Sequence, residues 1–285
     1  MRFSHLFNSK FAFRLVCQPR IITALIILSA IGFIAIFAPI LAPFDLFDSD
    51  LTKRLESPSH SHWLGTDMDG RDVLTMMMYG AQTSLTIGVL TVLLSVTVGL
   101  VIGLVSGYFG GWVDHVLMRI VDMLMAFPGL LVALVLASVL GPSRLTIIVA
   151  ISATGWISTA RLIRGQVLSL REQTYVTASI ALGAHQLRTM YRHILPGTLS
   201  PLTIHATFSL SGVIIVESGL SFLGLGAQDG APSWGALLSQ GQSVLTQAPH
   251  LSIAPGVAIM LTVLSLNFLG DALRDAMDPR GRSLG

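Results

Sequence analysis

Six stretches of this 285-residue chain, at positions 21–41, 85–105, 116–140, 145–163, 199–223 and 253–269, are long, apolar and nearly free of charge. A helix rises about 1.5 Å per residue and the hydrocarbon layer of a bilayer is about 30 Å thick, so about 20 apolar residues make one crossing. Inside hydrocarbon, each backbone N–H and C=O must be satisfied within the segment, which favours the helix for isolated apolar runs of this length. Only 11% of the residues are charged and 52% are hydrophobic, against a charged share of about 25% in soluble domains. The pattern predicts an all-α integral membrane protein with six transmembrane helices. Six crossings put both termini on one side.

Orientation follows from the short connecting segments, because an excess of Lys and Arg marks the cytoplasmic face. All Lys and Arg except Lys53, Arg54, Arg71 and Arg144 fall before span one, between spans two and three, between spans four and five, or after span six, counting Arg119 and Arg161 at the ends of spans three and four that adjoin those segments. Both termini, the basic N-terminus (1–20) and the tail (272–285), are therefore expected in the cytoplasm. The loop at 42–80 lies outside and is acidic, and the second outer loop, 224–250, has no Lys or Arg. A basic run at Arg2, Lys10, Arg14 and Arg20 precedes the first apolar stretch, which exceeds the core of a cleaved signal, so the first span is expected to be retained. The basic residues follow the bilayer rather than gathering on one soluble patch, and nucleic-acid binding is not expected. Cys17 is the single cysteine, so no intrachain disulfide and no paired-thiol metal site is available.

Gly99, Gly103, Gly107 and Gly111 recur at every fourth position. They share one helical face, where missing side chains permit close backbone approach. The stripe predicts a tightly packed helix pair, within the subunit or with a partner. No internal duplication of the hydrophobic pattern is visible, which counts against the secondary transporters built from inverted repeats.

The cytoplasmic segment YVTASIALGAHQLRTMYRHILP, residues 175–196, is unlike the rest. Leu187, Met190, Tyr191 and Ile194 repeat at helical spacing, with Arg188 and Arg192 one turn apart on another face. This predicts an amphipathic helix that ends at Pro196. Before it, Ala178, Ser179 and Ala181 surround a short helical stretch that Gly183 terminates or bends. The segment is either a solvated connector on the membrane face or a surface over which a partner closes.

Its spacing resembles the cytoplasmic motif of binding-protein-dependent ABC importer permeases: E-A-A, three residues, G, nine residues, I, one residue, L-P. Ala178, Gly183, Leu195 and Pro196 match. Thr177 stands in place of Glu, Ser179 in place of the second Ala, and His193 in place of Ile. Further stretches are similar to the peptide, opine and nickel branch of these permeases: GTDMDGRDV at 65–73, GYFGGWVDHVLMRIVDMLMAFPG at 107–129, ESGLSFLGLG at 217–226, PSWG at 232–235 and NFLGDALRDAMDPR at 267–280. Met76 and Gln82 sit where such permeases often carry Arg.

The resemblance implies a type I importer permease, with a five-helix core at 81–271 behind one N-terminal helix. It implies that 171–196 is the ATPase-coupling segment, through Thr177, Ala178, Ser179, Gly183, His193, Leu195 and Pro196. It further implies a second homologous permease subunit, two ATP-binding subunits, a periplasmic solute-binding protein, a setting in the lipid of the bacterial inner membrane, and di- or oligopeptides as cargo, with nickel, opines or another small solute as alternatives.

The chain itself carries no ATP-hydrolysing loop. Lys10 and Lys53 are its only lysines, and neither ends the Gly-rich phosphate loop that such chemistry requires. The nucleophile-elbow and zinc-helix patterns are absent as well. No enzymatic activity and no cofactor are expected, ATP being used by partner subunits. Asp67, Asp69 and Asp72 surround Gly70, but the glycine is misplaced for a calcium loop and no Glu closes it, and His60 with His62 lack further ligands; no metal is expected.

Glu217 lies in span five with His205 and Ser211. A carboxylate at mid-bilayer costs about 2.5–3.5 kcal/mol on insertion scales, so it faces protein or a wet cavity. Either Glu217 is hydrogen-bonded at the outer end of its helix, holding the next loop, or the three residues line a route or its outer gate. A stand-alone ion-coupled carrier would use Glu217 as its titrating group. Arg119 and Asp122, three residues apart, are expected to pair, and Pro128 to bend span three.

Overall fold

The structure, a computed structural model, describes residues 19–227 and 232–277. The parts of the two termini and of the second outer loop at 1–18, 228–231 and 278–285 lie outside these residues. The order of the main elements is α1 (Pro19–Leu41), α2 (Val73–Phe109), α3 (Gly111–Met125), α4 (Gly129–Leu140), α5 (Arg144–Arg171), α6 (Thr174–Ala181), α7 (Gln186–Thr189), a π-helical turn (Met190–Ile194), α8 (Leu195–Leu220), a second π-helical turn (Ser221–Leu225), α9 (Trp234–Gln242) and α10 (His250–Met277). Helices α1, α2, α5, α8 with its flanking turns, and α10 are long and apolar enough to cross a membrane, and α3 with α4 adds a sixth crossing if the bent pair is one span.

Side chains set where several helices begin. Asp72 accepts a 2.8 Å hydrogen bond from the Thr75 amide at the start of α2, and Ser143 accepts one of 3.1 Å from the Thr146 amide at the start of α5. These satisfy amide groups that the first turn leaves without partners. Helix α2 runs for 37 residues, about 55 Å at the standard rise. It extends well past the expected 85–105 because only its middle must be apolar.

The α2–α5 pair is the spine. A Cβ on Gly99 would sit 2.6 Å from the Trp156 carbonyl oxygen, one on Gly103 2.6 Å from that of Ala160, and one on Gly107 2.7 Å from Val167 Cβ. The close pairing lies within this chain. Gly111 does not join it: it is the first residue of α3, with φ of +51° and open surroundings.

Three expectations are corrected. Span three is not one helix over 116–140, because α3 and α4 meet at 80°. The chain turns through Ala126 and Phe127 to Pro128, which has extended backbone at the start of α4; at 12 residues α4 spans only about 18 Å. Pro196 does not end a helix. The Leu195 amide reaches back five residues to the Met190 carbonyl, and this wider turn lets the helix continue past a proline that lacks an N–H and would otherwise crowd the preceding turn. Arg119 does not pair with Asp122, which binds Arg161 on α5 instead; Arg119 stays exposed.

Packing divides between the two ends. Toward one end, Ile87, Ala133, Ala137, Ile147, Ala150 and Leu220 join α2, α4, α5 and α8. Toward the other, Leu104, Ile163, Val167 and Leu202 enclose Val176, Met190 and Ile194, so the short helices of the connecting segment are rooted in the same core as the long ones.

At the acidic end, residues 43–72 fold into a compact knot. His62 Nδ1 lies 3.0 Å from Asp72 Oδ1 with both side chains buried. Asp67 accepts hydrogen bonds of 2.8 Å from the amides of Asp69 and Arg71. Burial pushes the Asp67 carboxyl above its ordinary value against the pull of those amides. These carboxylates serve turns and a helix cap, and among the described residues no group of three or more His, Cys, Asp or Glu could hold a metal ion.

Candidate coupling site and transmembrane groove

The connecting segment is built by a sequence of local stops. Helix α5 ends at Arg171, whose Nη1 donates 3.2 Å to the Tyr108 carbonyl at the end of α2. Helix α6 then runs for eight residues, and Gly183, at φ +81°, closes it with amide bonds from Gly183 to Ile180 and from Ala184 to Ser179. Nothing lies within 4 Å of a Cβ built on Gly183. The glycine is needed for its left-handed backbone, not for space. His185 accepts a 3.3 Å hydrogen bond from the Leu187 amide and starts α7.

The two short helices enclose a concavity of about 580 Å³ open to the exterior, lined by Ala178, Ser179, Gly183, Arg188, Arg192 and His193 among others. Of the residues singled out by spacing, Ala178, Ser179, Gly183 and His193 meet here. Thr177 does not line the concavity; its hydroxyl donates 3.0 Å to the Thr174 carbonyl on its own helix. Leu195 and Pro196 are half-buried at the start of α8. Spacing missed Tyr175 and Leu182, which also line the concavity. Leu182 is 89% exposed, a large apolar side chain presented at the rim of a concave surface. The sequence signal was a leucine directly before the helix-ending glycine.

Within the membrane, a groove of about 240 Å³ lies between α2, α4, α5 and α8, with Ser95, Thr154, Ser158, Thr159 and Ser209 among its walls. His205 sits beside it, Nε2 3.1 Å from Thr159 Oγ1. Ser211 faces elsewhere, its hydroxyl 2.7 Å from the Phe208 carbonyl and 3.2 Å from Asn267 Oδ1 on α10. Glu217 does not line the groove either. It is 0% exposed and accepts hydrogen bonds of 2.7 Å from Ser221 Oγ and 3.5 Å from Ser218 Oγ, with the hydroxyls of Ser84 on α2 and Ser233 at the head of α9 beside it. The Trp234 amide donates 3.2 Å to Ser84 Oγ, and the Trp234 indole donates 3.1 Å to the Met77 carbonyl. Glu217 thus joins the end of α8 to α2 and α9, a setting in which a buried carboxylate keeps its acceptor sites filled. The three polar residues of span five occupy three different environments.

Residues 99–283 match the family described as binding-protein-dependent transport system inner membrane component. The chain is 40% identical over 262 residues to the dipeptide transport system permease protein of Alkalihalophilus pseudofirmus, covering 92% of this chain and 86% of that one. It is 44% identical over 266 residues to the glutathione transport system permease protein of Shigella flexneri, covering 92% and 87%. It is 41% identical over 253 residues to the glutathione transport system permease protein of Pectobacterium atrosepticum, covering 88% and 83%. Matches of this extent run through the groove, the connecting segment and the Glu217 clamp alike, and they identify a transport component rather than an enzyme. The chain belongs to the family of binding-protein-dependent transport system inner membrane components.

Proposed function

We propose that this chain is one permease subunit of an ABC importer that moves small peptides or peptide-like solutes across the bacterial inner membrane, driven by separate ATPase subunits that dock on the segment at 174–194. The observation that carries the reading is the rooting of that segment. Its outer face is a concavity in which the small Ala178, Ser179 and Gly183 lie among Leu182, Arg188 and Arg192, while Val176, Met190 and Ile194 are packed among α2, α5 and α8. A partner that pushes on the concavity therefore moves buried side chains, and packed interiors transmit such displacement rather than absorb it. The π-helical turn carries the chain into α8 without a break, and the far end of α8 is held by Glu217. Helix α8 is the lever between the two faces, and the largely apolar groove beside it, with hydroxyls at Ser95, Thr154, Ser158, Thr159 and Ser209, is the route.

The complex contains a second homologous permease, two ATP-binding subunits and a periplasmic solute-binding protein that meets the acidic loops. The basic segments lie in the cytoplasm with both termini. The contact between Ser200, near the start of α8, and Met277, at the end of α10, supports placing the C-terminal end on the same side as the connecting segment. The names of the dipeptide and glutathione permeases support a peptide-type cargo.

Uptake of a radiolabelled dipeptide and of labelled glutathione into membrane vesicles tests this. Uptake that requires ATP and disappears with the chain, then returns with it, is expected. Flux driven by an ion gradient through the purified chain alone, with no ATPase present, contradicts the reading.

A further inference from the structure

The arginines near the connecting segment divide into two groups. Arg164 grips Asp114, Arg161 binds Asp122, and Arg171 donates to the Tyr108 carbonyl. These hold the bundle together. Arg188 and Arg192 do none of this. Both are exposed, both line the same concavity, and among the described residues neither forms an ion pair. The chain carries no Asp or Glu between Glu172 and Glu217, and the acidic residues of α10, Asp271 and Asp275, are not part of the concavity. Thr177, the position at which related segments carry Glu, has its hydroxyl turned back onto its own helix. The surface offered to a partner is therefore cationic, with no carboxylate among the described residues that line it.

Accepting that ATPase subunits dock here, we infer that the docking ATPase presents a carboxylate-bearing surface to this concavity, with Arg188 and Arg192 as its charge partners and Leu182 as its apolar anchor. A guanidinium offers a planar fork matched to a carboxylate. Two of them one turn apart select an acidic face and reject a basic one, since opposed charges across an interface set partner choice and on-rate. The inference goes beyond docking as such, because it fixes the sign of the partner surface.

The test uses the complete transporter in nanodiscs of neutral phosphatidylcholine, with the ATPase subunits recovered alongside it titrated back onto the ATPase-free permease. Binding by R188Q/R192Q is expected to weaken by about tenfold or more, and R188K/R192K to bind nearer to wild type, as for charged partners in close contact. Wild-type binding is expected to fall more steeply than that of R188Q/R192Q between about 50 and 500 mM salt, where screening lengths shorten from above 10 Å to below 5 Å. Equal affinity and equal salt dependence overturn the inference. So does a loss seen only after anionic phosphatidylglycerol is added, which assigns the arginines to lipid headgroups. If R188Q/R192Q does not assemble, a flat salt response of the wild-type complex overturns the inference by itself. A cysteine at Ser179 (S179C in a C17S background) separates this from docking: cross-linking to the ATPase with no arginine dependence leaves docking intact and removes the charge assignment, whereas no cross-linking removes both.

Discussion

Asp114 and Arg164 form a two-pronged bridge between α3 and α5, with Arg164 Nε 2.5 Å from Asp114 Oδ1 and Nη2 2.6 Å from Oδ2. Ser106 at the end of α2 donates 2.5 Å to the same carboxylate. One acidic side chain thereby holds three helices where the bent pair begins. Replacing Arg164 by Lys keeps the charge and loses the fork. R164K is expected to lower stability by about 1 kcal/mol and D114N by about 1–2 kcal/mol, modest values because the bridge is partly exposed. Faster hydrogen exchange in 111–125, with α8 unchanged, is the reading that checks it.

The α2–α5 contact leaves no room for a methyl group. At Gly103 a Cβ would meet backbone, the Ala160 carbonyl at 2.6 Å, which cannot rotate away as a side chain can. G103A is expected to force the two helices apart and cost about 1–3 kcal/mol, with G103L worse. Adding the same methyl at Gly165, where nothing lies within 4 Å, is expected to be neutral or slightly stabilising as helix propensity favours Ala. Thermal unfolding of the two variants in one detergent gives the comparison.

Glu217 makes a structural prediction that separates clamp from route. E217A removes the acceptor of Ser221 and leaves a void beside Ser84 and Ser233, and is expected to cost about 2–4 kcal/mol. E217Q preserves shape and one acceptor oxygen and is expected to retain most stability together with substantial uptake. Abolished uptake in an E217Q protein of wild-type stability would move the residue from clamp to pathway.

Much of this architecture was legible from hydropathy, because the bilayer imposes a minimum apolar length that no soluble context does. The concavity of the connecting segment had a partial signal: Ala178, Ser179, Gly183 and His193 were singled out by resemblance, and they line one concavity where a left-handed glycine lies between two short helices. Other features had no local signal. Asp122 finds Arg161 across 39 positions, and a neighbour three residues away is only one of the partners a helix surface offers. Pro128 permits a bend without setting its angle, so the 80° corner depends on how α4 packs on α5. Pro196 reads as a stop by local rules, but a π-helical turn accommodates it, and such turns depend on the buried seats of Met190 and Ile194. Polarity alone left two readings of Glu217 open, and packing decides for the hydrogen-bonded helix end while sending His205 and Ser211 to other neighbours.

The most direct measurement is disulfide trapping at Ala178, inside the concavity, in native vesicles from an A178C protein carrying C17S. The account predicts that a single cysteine on the ATPase surface captures A178C in high yield and that trapping changes when ATP is added. Absence of any ATPase adduct across the exposed face of 174–194, in vesicles that still take up substrate with ATP, would contradict it.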